Sequence, residues 1–187
     1  MHALPCVLLA GAVSLRAPWA CPHRTPPRPA PVRMAAWHVA PLGPEHLPQL
    51  LALDQDAHAP GLWTEAQYAS EVANPRCLAL GAFDHPESPT VSGMLFMTVV
   101  QDEAMITNLG VRADRRGQGA GASLLDAALD MGRERGVQFF VLEVRDRNAV
   151  AKRLYESRGF ARAGTRRGYY ARPSDDAAVL VCDLASR

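Results

Sequence analysis

The run Asp114-Arg115-Arg116-Gly117-Gln118-Gly119-Ala120-Gly121 constrains this chain more than any other segment. An apolar run, Ile106 to Val111, precedes it, and a segment of helical period, Ala122 to Arg135, follows. A strand therefore feeds a glycine-rich turn that opens a helix. Such a turn aims several backbone N–H groups, and the positive end of a helix dipole, at one point in space, which suits a phosphate. Glycine also reaches positive φ without penalty, so the same residues fit a plain turn with no ligand. Two standard phosphate loops match poorly. The P-loop ends in Gly-Lys-Ser/Thr, whereas Gly121 is followed by Ala122 and Ser123. The dinucleotide fingerprint needs Gly-x-Gly-x-x-Gly and an acid about 20 residues on. Gly117-x-Gly119 is present, but Ala122 stands where the third glycine belongs. Glu143 lies near the expected distance, so that reading is weakened rather than excluded.

The remaining pattern alternates between strand and helix signals. Trp37 to Pro41 reads as a short strand, and Pro44 to Asp56 as a helix with Leu47, Leu50, Leu51 and Leu53 on one stripe. Pro48 falls in the first turn, where a missing N–H costs little. A second helix spans Thr64 to Ala73, with Thr64 as N-cap. Cys77 to Phe83, Val91 to Val100 and Glu103 to Val111 read as an antiparallel meander. After the glycine turn, Leu124, Leu125, Ala128, Leu129 and Met131 form the buried face of a helix. Phe139 to Leu142 is continuously apolar, as in a strand covered on both faces. Asn148 caps a helix that Gly159 stops. Strands near Phe160 to Tyr170 and Ala177 to Asp183 finish the chain. The expected architecture is α/β, a mixed central sheet flanked by helices on both faces.

At 187 residues the chain suits one domain, and its balance of charges is near neutral. No apolar run approaches the ~20 residues that span a bilayer, so no membrane partner is expected. Cys6, Cys21, Cys77 and Cys182 form no Cys-x-x-Cys pair, and the histidines show no ligand spacing, so no metal site is expected. Residues 1–33 stand apart. They hold seven prolines and four arginines but no acid. The rest of the chain carries sixteen basic and nineteen acidic residues, with no footprint for direct nucleic-acid binding. The leader is read as a disordered segment: a transit peptide, a translation artefact upstream of Met34, or, least favoured, a secretory signal. Residues 34–187 form the domain.

Two further positions carry chemistry. Glu143 interrupts the apolar strand Val141-Leu142-Glu143-Val144, where an interior strand has little use for an idle acid. It is either a general base or a structural acid paired with Arg145 or Arg147. Tyr155 follows Asn148 by seven residues, two helical turns, so both lie on one face. It is either a core aromatic beside Leu154 and Phe160 or a reactive phenol.

The pattern Arg116-Gly117-Gln118-Gly119-Ala120-Gly121 resembles the acetyl-CoA pyrophosphate loop of the GNAT superfamily of N-acetyltransferases. The likeness continues through Leu142 to Arg145, Asn148 to Phe160 and Arg166 to Tyr170. Upstream it includes Ala57-His58-Ala59, Trp63-Thr64-Glu65 and Val99 to Ala104. Together these are similar to the RimI subfamily, the ribosomal-protein alanine N-acetyltransferases, across Trp37 to Leu184. The resemblance implies the GNAT fold, with splayed middle strands. Acetyl-CoA would lie in the gap as co-substrate, its pantetheine arm on Leu109, Gly110 and Val111 and its pyrophosphate on Arg116 to Ala122. It implies Glu143 as general base, Tyr155 as the group that meets the departing thiolate, and Asn148 as a cofactor contact. The implied acceptor is a protein N-terminus, the N-terminal alanine of a small-subunit ribosomal protein. The implied compartment is cytoplasmic, or organellar if residues 1–33 are a transit peptide. A phenol of pKa ~10 facing a thiol of pKa ~8.5 transfers its proton uphill by roughly 2 kcal/mol, which favours a hydrogen bond over full transfer. An α-amine of pKa ~8 is easier to deprotonate than a lysine of pKa ~10.4, by about 3 kcal/mol, and suits a single carboxylate base. The loop His58 to Trp63 is about one residue longer than the bacterial pattern. Lysine or small-amine acetylation, and a non-catalytic acyl-CoA-binding module, are the competing readings. The retained Glu143, Asn148 and Tyr155 speak against the module.

Overall fold

The computed structural model describes residues 37–58 and 63–184. The leader and the middle of the His58 to Trp63 loop lie outside the described residues. Seven strands form one sheet in the order β1-β2-β3-β4-β5-β7-β6. The strands β1 (His38–Pro41), β2 (Cys77–Phe83), β3 (Gly93–Val100) and β4 (Glu103–Val111) make the expected antiparallel meander. The helix α3 (Ala120–Glu134) then crosses over to β5 (Phe139–Arg145), which pairs parallel to β4. The hairpin of β6 (Ala161–Ala171) and β7 (Ser174–Asp183) closes the sheet, with β7 inserted beside β5.

Strand alternation divides the core in two. Leu95 and Met97 of β3 face α3 and α4 (Ala149–Glu156), in a cluster with Leu124, Leu125 and Phe140. Met94 and Phe96 face the other way, against Leu50, Leu53 and Tyr68 of α1 (Leu47–His58) and α2 (Glu65–Ala73). Each such fully buried side chain contributes about 1.5–3 kcal/mol of transfer free energy. Trp63, Tyr68 and Phe96 meet edge-on or tilted, with ring centroids 5.1 to 5.4 Å apart.

The caps read from the sequence are present. Thr64 accepts from the Gln67 amide, and Gln67 returns a bond to the Thr64 amide at 2.8 Å. Asn148 Oδ1 accepts from the Ala151 amide at 3.0 Å. The first helix differs from expectation at its start. Pro44–His46 forms one 3-10 turn, and the α-helix begins at Leu47, with Pro48 in its first turn. A second difference concerns β5. Phe140, Leu142 and Val144 are buried against α3 and α4, but Phe139, Val141, Glu143 and Arg145 are only partly covered. Continuous apolarity suggested cover on both faces, yet α1 and α2 pack over β2 to β4 and stop short of this strand.

α3 crosses the sheet at close range. A Cβ on Gly132 would stand 2.6 Å from Phe140 Cζ, so only glycine lets helix and strand approach this closely here.

Candidate active site

The site begins where two strands part. β4 and β5 pair from Glu103↔Phe139 to Ile106↔Leu142 and no further. β4 keeps its partner on the other side, with Leu95↔Leu109, Met94↔Gly110 and Gly93↔Val111. The cause of the divergence is local. The β3–β4 register slips between Phe96 and Met97, which pair with Asn108 and Ile106. Thr107 is the extra residue of a β-bulge, and its Oγ1 donates to Phe96 O at 3.3 Å. A bulge bends and twists the strand that carries it, and the pairing with β5 ends at Ile106, the residue next to it. The edge of Leu109, Gly110 and Val111 is therefore left without β5.

The glycine turn borders this opening. Gly117 has φ 73 and Gly119 φ 93, and Gly119 is the N-cap of α3. Ser123 is the first residue of α3 whose amide is tied back, to Gly119 O at 2.9 Å. The amides of Gly119, Ala120, Gly121 and Ala122 have no acceptor among the described residues, as at any helix start whose N-cap has no side chain to accept from them. The loop is braced from outside. Arg116 donates to Val111 O at 3.0 Å and to Asp56 O at 2.8 Å. Gln118 Nε2 donates to Asp114 O at 2.9 Å, and Trp37 Nε1 to Gln118 O at 2.9 Å. The side chains of Arg116 and Gln118 thus hold the turn in shape, and their backbone lies in it.

Glu143 is the first residue of β5 past the last pair with β4. Its side chain is only 7 % exposed, and Arg166 Nε lies 2.9 Å from its Oε1. That contact is an ion pair out of line for hydrogen bonding, so buried Oε1 holds no directed hydrogen bond among the described residues. The arginines next in sequence are engaged elsewhere. Arg145 lies 4.1 Å over the Tyr170 ring and donates to Arg172 O and Pro173 O, and Arg147 pairs with Asp175 at 2.8 Å. The expected alternative, a pair with Arg145 or Arg147, is replaced by a cross-strand pair with β6.

Tyr155 is buried on α4 and meets Phe160 edge-on at 5.7 Å. Burial pushes its phenol well above the ordinary value, with Tyr170 as a smaller cause of the same sign. Tyr170 is itself raised by burial and then by Glu143.

A second polar group was not read from the sequence as a unit. Asn108 of β4 is buried, with Nδ2 donating to the Tyr68 hydroxyl at 2.9 Å and Oδ1 3.1 Å from His58 Nε2. Buried Asp54 accepts from the Trp63 amide at 3.1 Å and raises the Tyr68 phenol by charge and hydrogen bonding, after burial itself. The available signal was the polar pair Thr107-Asn108 within an apolar strand; its partners lie 40 and 50 residues upstream, beyond any local pattern.

A shallow concavity between α1 and the Arg112 to Asp114 turn is lined by Gln49, Leu53, Asp56 and Thr90. Of the site residues above, only the loop braces Asp56 and Asp114 touch it, so it lies outside the opening between β4 and β5. No group of metal-ligating residues occurs among the described residues, and no described helix is long and apolar enough to cross a membrane.

Comparison with known proteins gives this geometry a lineage. The chain is 36 % identical over 141 residues to the [ribosomal protein bS18]-alanine N-acetyltransferase of Escherichia coli, covering 74 % of this chain and 92 % of that one. The Salmonella typhimurium protein of the same name is 34 % identical over 142 residues, with the same coverage. The crystal structure of the Escherichia coli ribosomal-protein-S18-alanine N-acetyltransferase superposes with a TM-score of 0.72 at 33 % identity, over 79 % of this chain and 94 % of that one. The PaiA N-acetyltransferase of Thermoplasma acidophilum, solved with coenzyme A, shares the fold at 18 % identity and a TM-score of 0.65, over 79 % of this chain and 99 % of that one. Residues 44–160 match the Acetyltransferase (GNAT) family, and with a mixed sheet that parts between β4 and β5, the chain belongs to that family.

Proposed function

We propose that this protein is an acetyl-CoA-dependent Nα-acetyltransferase whose acceptor is the N-terminal alanine of a small-subunit ribosomal protein. The observation that carries the reading is the parting of β4 and β5 after Ile106 and Leu142, with the untied amides of α3 beside it and Glu143 just past it. The acceptor follows the names of the bacterial relatives.

The residues present fit acetyl-CoA, which supplies the acetyl thioester. Backbone amides from Gly117 to Ala122, at the positive end of α3, form a seat for the pyrophosphate. The free edge at Leu109, Gly110 and Val111 offers backbone groups to the amides of the pantetheine arm, and Asn148 stands at the start of α4 as a further contact. Glu143 accepts a proton from the acceptor nitrogen, its carboxylate held beside Arg166 in a nearly dry position. Tyr155 donates a hydrogen bond to the departing thiolate. Burial holds its proton more tightly still, which favours donation over transfer.

The test is incubation with acetyl-CoA and peptides beginning Ala, Ser or Thr, each bearing an internal lysine, followed by mass spectrometry. Acetyl on the N-terminal nitrogen of the Ala peptide is expected. Transfer to lysine alone, or no transfer, overturns the reading.

A further inference from the structure

Acetyl transfer to an α-ammonium has a proton balance that one carboxylate does not close. The nitrogen begins as NH3+ and ends as an amide N–H. It sheds two protons while one C–N bond forms and the C–S bond of the thioester breaks. One proton ends on sulfur, and the other goes to water. Glu143 holds one proton at a time. A second acceptor on the same side of the sheet lets both protons leave within the site, without the amine first losing one to bulk water.

His58 stands at such a place. Glu143 and Arg145 project from β5 to the face opposite Phe140, Leu142 and Val144, the side on which α1 packs. His58 ends α1 and covers the part of β4 that β5 has left. Its Nε2 lies where a methyl on Gly110 would be 3.3 Å away. The charges that reach it are Asp54 on its own helix, Arg116 from the glycine turn and Arg145 from across the opening. Asn108 on β4 and Tyr68 on α2 complete its surroundings as neutral groups.

The hydrogen bonds have a direction. A carboxylate is an acceptor only, so Asp54 draws the Tyr68 proton toward itself. The Tyr68 oxygen is then the acceptor, and Asn108 presents Nδ2 to it at 2.9 Å. That orientation turns Oδ1 toward His58, 3.1 Å away, so Nε2 must be the nitrogen that carries hydrogen. In a neutral imidazole the other nitrogen, Nδ1, is then bare.

The geometry points to His58 as the second proton acceptor of the reaction: the row Asp54, Tyr68 and Asn108 fixes its Nε2–H form, and Nδ1 takes the first proton from the acceptor ammonium. The N–H bond of the ammonium breaks, Nδ1–H forms, and the neutral amine attacks while Glu143 takes the second proton. His58 then releases its proton to water. This inference rests on the acetyl-transfer reading and deepens it. Burial lowers the His58 pKa, with Arg116 and Arg145 in the same direction and Asp54 and Asn108 opposing, so the imidazole is neutral at physiological pH and free to accept. The ordinary pKa gap from imidazole to an α-amine is about 1.5, a ~30-fold uphill transfer; to a lysine it is about 4, or ~10⁴-fold. The shift from burial enlarges both alike. Such a base favours N-termini over lysine side chains.

Two measurements on the full chain test this. The first is 15N NMR of the histidine-labelled protein at pH 7.5, with His58 assigned by comparison with His58→Gln. A protonated Nε2 and a bare Nδ1 are expected, and a protonated Nδ1 overturns the proposal. The second is kcat/KM against pH for an N-terminal Ala peptide. His58→Gln keeps an amide N–H for Asn108 and removes the titrating base. It is expected to lower kcat/KM by about 10- to 100-fold and to remove one ionisation from the acid limb, with acetyl-CoA affinity unchanged. Asp54→Asn, which leaves His58 in place, is expected to shift the tautomer signal and lower kcat in the same direction. A wild-type rate and pH profile in folded His58→Gln overturns this inference alone. A native chain that acetylates no N-terminal peptide overturns the proposed function with it.

Discussion

At the scale of the residue, Glu143 and Tyr155 are candidates that the sequence singles out because each breaks a local rule, and the structure buries both side chains. An acid in an apolar strand and a phenol two turns from a cap stand out without coordinates. Arg166 was legible only as part of a motif, since its pairing with Glu143 depends on β7 lying between β5 and β6. Glu143→Gln removes the proposed base and leaves a neutral side chain of the same shape. It is expected to lower kcat by 10²- to 10⁴-fold near neutral pH with cofactor affinity retained. Alkaline pH supplies neutral amine directly, so the deficit shrinks as pH rises. A deficit unchanged from pH 7 to 9 would assign Glu143 to positioning alone. Tyr155→Phe keeps the ring that packs on Phe160 and loses only the hydroxyl. Melting temperature is expected to stay near wild type while the single-turnover rate falls by about 10²- to 10³-fold. A wild-type single-turnover rate would make Tyr155 a packing residue.

At the scale of the element, the strand–turn–helix unit was readable because glycine spacing and apolar period are local. The helix starts two residues earlier than expected, at Ala120, because Gly119 in the left-handed region is itself the cap. Valine at position 119 must adopt φ near 93°, at a cost of roughly 1–3 kcal/mol, or move the turn. Gly119→Val is expected to weaken acetyl-CoA binding measured by calorimetry on the folded variant. Unchanged affinity would mean the pyrophosphate does not sit on this loop. Gly121 behaves differently: a methyl there finds ordinary contacts at 3.6 Å with Leu109, Val111 and Leu154, so the fold tolerates alanine. Gly132 marks the closest approach of α3 to the sheet. Gly132→Ala forces Phe140 aside and is expected to cost about 1–3 kcal/mol in denaturant unfolding, despite the better helix propensity of alanine. No change in stability would show that Phe140 repacks freely.

At the scale of the whole molecule, a protein beginning at Met34 is expected to match the full chain in melting temperature and peptide turnover, given the proline-rich, acid-free composition of residues 1–33. Loss of folding on this truncation would show that the leader packs on the domain. A fluorescent fusion of residues 1–33 separates a cytosolic from an organellar address. By itself the sequence determined the order of strands and helices, the caps and the strand–glycine turn–helix unit, because period, cap chemistry and glycine spacing act within a few residues. Tertiary structure decided where β4 and β5 part, since the bulge at Thr107 exists only relative to β3. It also decided that β5 is half-covered, because which face a helix reaches depends on crossovers between distant segments. The row from Asp54 to His58 belongs to the same class. Its members come from α1, α2 and β4, and buried polar groups find their partners only when the chain has closed on itself.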